Sequence, residues 1–288
     1  MFVNSLILPY FDPVAVQFYN VKIHWYALAY VFGILLGYFW VKKLNSIQYS
    51  LHTYNTRKFF VTLTPKSLDS FITYAVLGII LGGRIGYIVF YNSSYYLAHP
   101  AQILAVWKGG MSFHGGLIGI IVSFYIFALR NKTSYLYLTD LIALAAPIGL
   151  FLGRIANFIN SELIGRLAPA NLPWGVLYAN EDQLRHPSQI YEAICEGLLI
   201  FVILNLLAIR TNILLCRGAL SGLFLFLYGS FRFFLESFRE PDEQVGLLLY
   251  HLTMGQILCI PMILLGIILF YLGVNYGKKG GSNYRWGN

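Results

Sequence analysis

Three arginines, Arg84, Arg154 and Arg232, lie inside long apolar runs of this 288-residue chain. A charge in such a run is costly and marks a functional site by default. The guanidinium fork matches a phosphate or carboxylate with two parallel N–H bonds, so three arginines point to an anionic ligand. Other polar residues open or close neighbouring apolar runs. They are Tyr26 and His24 in HWYALAY, His114 in GGMSFHGGLIG, and Asn157, Asn160 and Glu162 in GRIANFINSE. His186, Gln189 and Glu192 follow in RHPSQIYE, then Glu236, four residues after Arg232, and Arg239.

Each of these residues also has a structural reading. Arg84 in GGRIGY could snorkel, or pair with Glu192 or Glu196. Glu162 could neutralise Arg154, and the i, i+4 spacing of Arg232 and Glu236 suits an intrahelical salt bridge. A histidine such as His114 is often only a hydrogen-bonded structural residue, but its flanking glycines allow a ligand close to the backbone. Tyr26 has the interfacial alternative. Glycines 78, 82, 83 and 86 suit tight helix packing.

The elements that must carry these residues follow from composition. Hydrophobic residues make up 58% of the chain and charged residues 11%, against about 25% charged in an ordinary soluble domain. Mean hydropathy is +0.64. These values argue against a cytosolic enzyme, a disordered chain or a coiled coil, and for an all-α polytopic membrane protein. Runs near the roughly 20 apolar residues needed to span a bilayer predict seven transmembrane helices, at 23–41, 70–91, 113–129, 139–158, 188–209, 218–238 and 252–275. They form a single membrane domain over 1–288. The stretch 42–69 is the long polar connection, and 95–107 is too short to span and suits the interface.

The net charge of +8 resolves by position. Lys42, Lys43, Arg57, Lys58, Lys66, Arg130, Lys132, Arg210, Arg217, Lys278, Lys279 and Arg285 all fall on one side of a seven-span topology. Only Lys22, Lys108, Arg166, Arg185 and Arg239 fall on the other. The positive-inside rule then predicts an outside N-terminus, a cytoplasmic C-terminus, and exterior loops near 92–112, 160–187 and 239–251. It also gathers the intramembrane polar residues in the outer half of the membrane, where the simplest anion is a phospholipid head group. No basic patch interleaved with aromatics suggests nucleic acid. The N-terminal MFVNSLILPYFDP does not read as a cleavable signal. Cys195, Cys216 and Cys259 lack metal-ligand spacing and read as small hydrophobes. P-loop, GxSxG and HExxH motifs are absent, and the acidic REPDEQ at 239–244 reads as a turn.

Taken in order, HWYALAY, GGRIGY, GGMSFHGGLIG, GRIANFINSELIGR, RHPSQIYE and RFFLESFREPD strongly resemble the prolipoprotein diacylglyceryl transferases, over about residues 24–260. Ala156 stands where that signature usually has Gly, and Lys108 where an acidic or polar residue is common. The resemblance implies a bacterial inner-membrane enzyme with its site toward the outer leaflet. It would move the diacylglyceryl group of phosphatidylglycerol to the lipobox cysteine of a preprolipoprotein signal peptide and release glycerol 1-phosphate, with no metal or other cofactor. It implies catalytic roles for His114, Arg154, Arg232 and Tyr26. Lipid-binding roles would fall to Arg84, Arg154, Asn157, Asn160, Glu162, Arg232, Glu236 and Arg239, with Tyr228 preceding the RFxxE pair. Membrane lipid is the expected surrounding, and nucleic acid is not an expected partner. The alternatives are a lipid or anion transporter, or another phospholipid head-group transferase. A transporter would be expected to show inverted repeats or polar groups through both leaflets.

Overall fold

The computed structural model describes residues 6–19, 21–54, 63–179, 181–240 and 252–280. It is predominantly helical. Seven helical segments are long and apolar enough to cross a membrane: Trp25–Ser46, Pro65–Tyr91, Phe113–Asn131, Tyr135–Ile159, Ser188–Arg210, Ala219–Phe238 and Met254–Asn275. These match the seven predicted runs, most ends shifting by a few residues. The clear difference is the first helix, α1 (Trp25–Tyr54), which continues well into the predicted polar connection. Residues 42–54 contain neither Gly nor Pro, so nothing local stops the helix where hydropathy falls. Asn45 anchors the extension. It donates to the Leu63 carbonyl at 2.7 Å and accepts from the Tyr137 hydroxyl at 3.0 Å. Residues 241–251, within the third exterior loop and the REPDEQ turn, lie outside the described residues, as do Arg57, Lys58 and Arg285.

The chain divides into two compact units, residues 42–138 and residues 1–41 with 139–288. The contiguous unit is built on α2 (Pro65–Tyr91) and α4 (Phe113–Asn131), joined through the short α3 (Ser93–Ala98) and two 3₁₀ turns. Thr64 caps α2 by accepting from the Ser67 amide at 3.1 Å, with Pro65 in the first turn, where its missing N–H costs nothing. Ser112 caps α4 by accepting from the Gly115 amide at 3.2 Å. Between these helices the glycines serve packing. A Cβ at Gly78 would lie 2.5 Å from Ser123 Oγ, and one at Gly86 2.7 Å from Gly115 Cα. A Cβ at Gly82 or Gly119 would collide with backbone of the facing helix. Without a hydrophobic force between helices in lipid, such backbone approach is the main source of association. The α2–α4 face carries an apolar groove of about 500 Å³ floored by these glycines.

The discontinuous unit contains the first part of α1, α5 (Tyr135–Ile159) from Thr139 onward, α6 (Ser188–Glu192), a π-helical stretch (Ala193–Leu199), α7 (Ile200–Arg210), α8 (Ala219–Leu235) and α9 (Met254–Gly280). Gly222 and Gly266 let α8 and α9 approach as closely as α2 and α4 do. Trp40 donates to Asn205, which donates in turn to the Leu144 and Phe201 carbonyls, tying α1, α5 and α7. Asp140 is fully buried and accepts from the Gly218 and Ser221 amides, both at 2.7 Å, so a carboxylate of α5 satisfies the orphan amides at the start of α8. The unit also holds short strands that hydropathy does not announce. β1 (Leu6–Leu8) pairs in parallel with β4 (Val176–Tyr178), and β2 (Val14–Phe18) forms an antiparallel pair with β3 (Val21–His24), which leads directly into Tyr26.

Candidate active site

The end of α5, the α6–π segment and the end of α8 bring six charged residues together in the discontinuous unit. Arg154 reaches Glu192 at 3.1 Å and Glu196 at 3.2 Å. Arg232 pairs with Glu192, reaches Glu236 at 2.6 Å and lies 3.8 Å from Glu196. Arg239 approaches Glu192 at 3.6 Å. Glu192 and Glu196 are 0% exposed, and Glu236 7%. The cluster therefore balances three guanidinium groups against three carboxylates. Balance is what allows such a charge density to survive burial, since an unpaired buried ion costs several kcal/mol.

The π-helical turn carries Glu196. Wide π-turns recur at functional sites, and here Gly197 lies directly against α5, where a Cβ would be 2.6 Å from Phe151 Cβ. Gly255 makes room for Glu236, because a Cβ there would sit 2.7 Å from Glu236 Oε1. That oxygen also accepts from Thr253 Oγ1 at 3.1 Å. Glu236 thus has one oxygen hydrogen-bonded by Thr253 and the other in ion-pair contact with Arg232.

Asn157 donates its amide to the Tyr26 hydroxyl, joining the first helix to the signature segment. The chain then makes a cramped turn in which Ser161 and Leu163 both take positive φ, 54° and 56°. Strain of this kind persists only where surroundings over-determine it. The Glu162 amide donates to the Asn157 carbonyl at 2.9 Å, Ser188 Oγ to the Leu163 carbonyl at 3.1 Å, and Gln189 Nε2 to the Glu162 carbonyl at 2.8 Å. The turn leaves the Glu162 side chain exposed, 3.5 Å from Asn160 Nδ2. Asn160 Oδ1 is buried without a hydrogen-bond partner among the described residues.

The segment 160–187 is strapped to the end of α8. The Arg166 amide donates to the Phe238 carbonyl, its Nε donates to the Arg239 carbonyl, and Arg185 joins Glu181 at 2.6 Å and Glu240 at 3.0 Å. Gly165 fits between the His186 and Phe238 carbonyls, where a side chain would not. Tyr178 donates to Gln189 Oε1, and burial pushes its phenol up; burial also lowers the His186 imidazole.

Several expectations change. Arg154 is neutralised by Glu192 and Glu196 rather than by Glu162. Arg232 and Glu236 do form the i, i+4 pair, within a larger network. Arg84 is buried rather than snorkelling, and pairs with no carboxylate among the described residues. It is 4% exposed and donates to the carbonyls of Gln102, Ile103, Ala105, Gly109 and Gly110. That uses the guanidinium's five N–H groups, leaving none for a phosphate. His114 lies exposed in the first turn of α4, in the contiguous unit. The sequence offers Glu196 only as a pairing partner for Arg84, and Glu192 as that and as a helix-end residue. Two carboxylates one helical turn apart in an apolar run, YEAICEGLLI, were the available signal. Cys216 and Cys259 are buried and Cys195 is half-buried.

The profile of the prolipoprotein diacylglyceryl transferases matches residues 13–272. The chain belongs to this family. Among proteins named phosphatidylglycerol–prolipoprotein diacylglyceryl transferase, those of Rickettsia bellii (strain OSU 85-389) and Rickettsia typhi are each 48% identical to it. The first alignment covers 91% of this chain and 95% of the relative, the second 92% and 97%. The Rickettsia canadensis protein of the same name is also 48% identical, over 91% and 96%. The transferase match thus takes in the whole charged cluster, the strained turn and the His114 segment.

Proposed function

We propose that this chain transfers the diacylglyceryl group of phosphatidylglycerol to the cysteine thiol of a prolipoprotein lipobox. A C–S bond forms at the glycerol carbon, its C–O bond to phosphate breaks, and glycerol 1-phosphate leaves with the bonding electrons. The thiol proton passes to a base. The observation that carries this reading is the pair Arg154 and Arg232, partly buried with side chains 16% and 15% exposed and linked through the fully buried Glu192. Cations held rigidly in a dry site stabilise charge developing on a leaving phosphate without having to reorganise.

Arg154 and Arg232 are assigned to the phosphate, with Arg239 beside them. Asn157, Asn160 and Tyr26 are assigned to head-group oxygens, and Asn160 Oδ1, unpartnered among the described residues, suits a lipid hydroxyl. Glu236, ion-paired with Arg232 and hydrogen-bonded by Thr253, is assigned a structural role. His114 and Glu162, both with exposed side chains, are assigned as candidates for the base that takes the thiol proton. The site is assigned to the outer half of a bacterial inner membrane, with the N-terminus outside and the C-terminus in the cytoplasm, on the asymmetry of Lys and Arg.

The test incubates purified protein with phosphatidylglycerol labelled in both glycerol moieties and a lipobox peptide. Thioether-linked diacylglycerol on the peptide, with equimolar glycerol phosphate, is expected. Lipid movement without a covalent product would replace this reading with transport.

A further inference from the structure

We infer that Arg84 is a positioning residue that holds the loop delivering His114, rather than a ligand of the lipid phosphate. The inference rests on the transferase reading and on His114 taking part in it.

The guanidinium is caged by a single stretch of chain. Nε donates to the Ile103 carbonyl at 2.9 Å, Nη1 to Gly109 at 2.6 Å and Gly110 at 3.2 Å, and Nη2 to Gln102 at 2.6 Å and Ala105 at 3.3 Å. The Tyr96 ring covers it at 4.9 Å. An arginine has five N–H groups in a fixed plane, so this one reads the shape of residues 102–110 and holds the α2 side of the loop. Lysine, with three donors on a flexible stem, cannot reproduce it.

The neighbouring residues are chosen for the same docking. Gly110 has φ +80°, and a Cβ there would press on Tyr87 at 2.6 Å and on Arg84 Nη1 at 3.0 Å. A Cβ on Gly83 would meet Met111 at 2.8 Å. The Gly83 carbonyl accepts from the Ser112 amide at 2.9 Å, and Ser112 caps the helix whose second residue is His114. From Arg84 to His114 the connection is continuous: guanidinium, loop carbonyls, Ser112 cap, first turn of α4. The Gly83–Ser112 hydrogen bond and the Ser112 cap fix the backbone that carries His114.

The test is transfer kinetics on the full chain in phosphatidylglycerol-containing detergent micelles. Arg84→Lys and, separately, Gly110→Ala are each expected to lower kcat by roughly tenfold, the size of one or two lost charge-assisted hydrogen bonds. KM for phosphatidylglycerol should stay within about twofold, since uniform binding is untouched. In a His114→Gln background the same changes should cost less than about twofold, because residues acting as a unit are not additive. A raised KM with kcat preserved would make Arg84 a phosphate ligand and overturn the inference, as would full additivity with His114→Gln. If His114→Gln shows no residual transfer, amide exchange decides. Arg84→Lys should speed exchange at Ser112 and Gly115 while residues 120–128 stay protected, and unchanged exchange at those two amides would overturn the inference. Absence of transfer by the parent chain would instead remove the transferase reading itself.

Discussion

Glu192 pairs with three arginines at once, so removing its charge tests the whole cluster. Glu192→Gln should lower the melting temperature in detergent by the equivalent of about 3–5 kcal/mol, the usual cost of breaking a buried ion pair. Transfer should fall with it. Arg154→Lys keeps the charge but loses the fork that spans Glu192 and Glu196. It should lose about 10- to 100-fold in kcat/KM, corresponding to one or two charge-assisted bonds. Full activity in that variant would show that a point charge suffices. At this scale the arginines and their motif neighbours were legible in sequence, because a charge in an apolar run stands out. Their partners were not. Glu192 and Glu196 sit 40 and 42 residues from Arg232 and Arg154, and no local pattern tells which carboxylate an arginine will meet. Arg84 shows the converse. Its exposure to view as a misplaced charge was clear, but carbonyl acceptors have no sequence signature.

Helix contacts in both units depend on bare backbone. Gly119→Ala puts a methyl against the Gly78 carbonyl and should destabilise the α2–α4 pair by about 1–3 kcal/mol, the range for overpacking. Gly149→Ala, by contrast, meets nothing within 4 Å among the described residues. It should be neutral, or stabilising by up to about 1 kcal/mol, through loss of backbone freedom in the unfolded chain. Thermal denaturation of the two variants side by side separates a packing glycine from a tolerated one. Helix existence was readable from hydropathy almost end to end. The C-terminal end of α1 was not, since a helix continues wherever capping and side-chain contacts such as that of Asn45 support it. The strands β1 to β4 escaped for a related reason: three to five residues give too little pattern to distinguish from a loop.

At the scale of the chain, topology is the open physical quantity, and cysteine labelling measures it. With the three native cysteines replaced by alanine, Ala170→Cys should react with an impermeant maleimide from outside intact cells. Asn131→Cys and Asn212→Cys should react only after permeabilisation, and the opposite pattern would invert the assigned orientation. The buried cluster also has an order in time. Ribosomes deliver its members as Arg154, Glu192, Glu196, Arg232, Glu236 and Arg239. Counted in that order, the accumulated charge runs from plus one through zero to minus one, back to zero, to minus one, and ends at zero. During synthesis, then, the growing bundle never has to shelter more than a single uncompensated charge. A sequence that placed its three arginines first would have to insert a triple cation before any counterion existed.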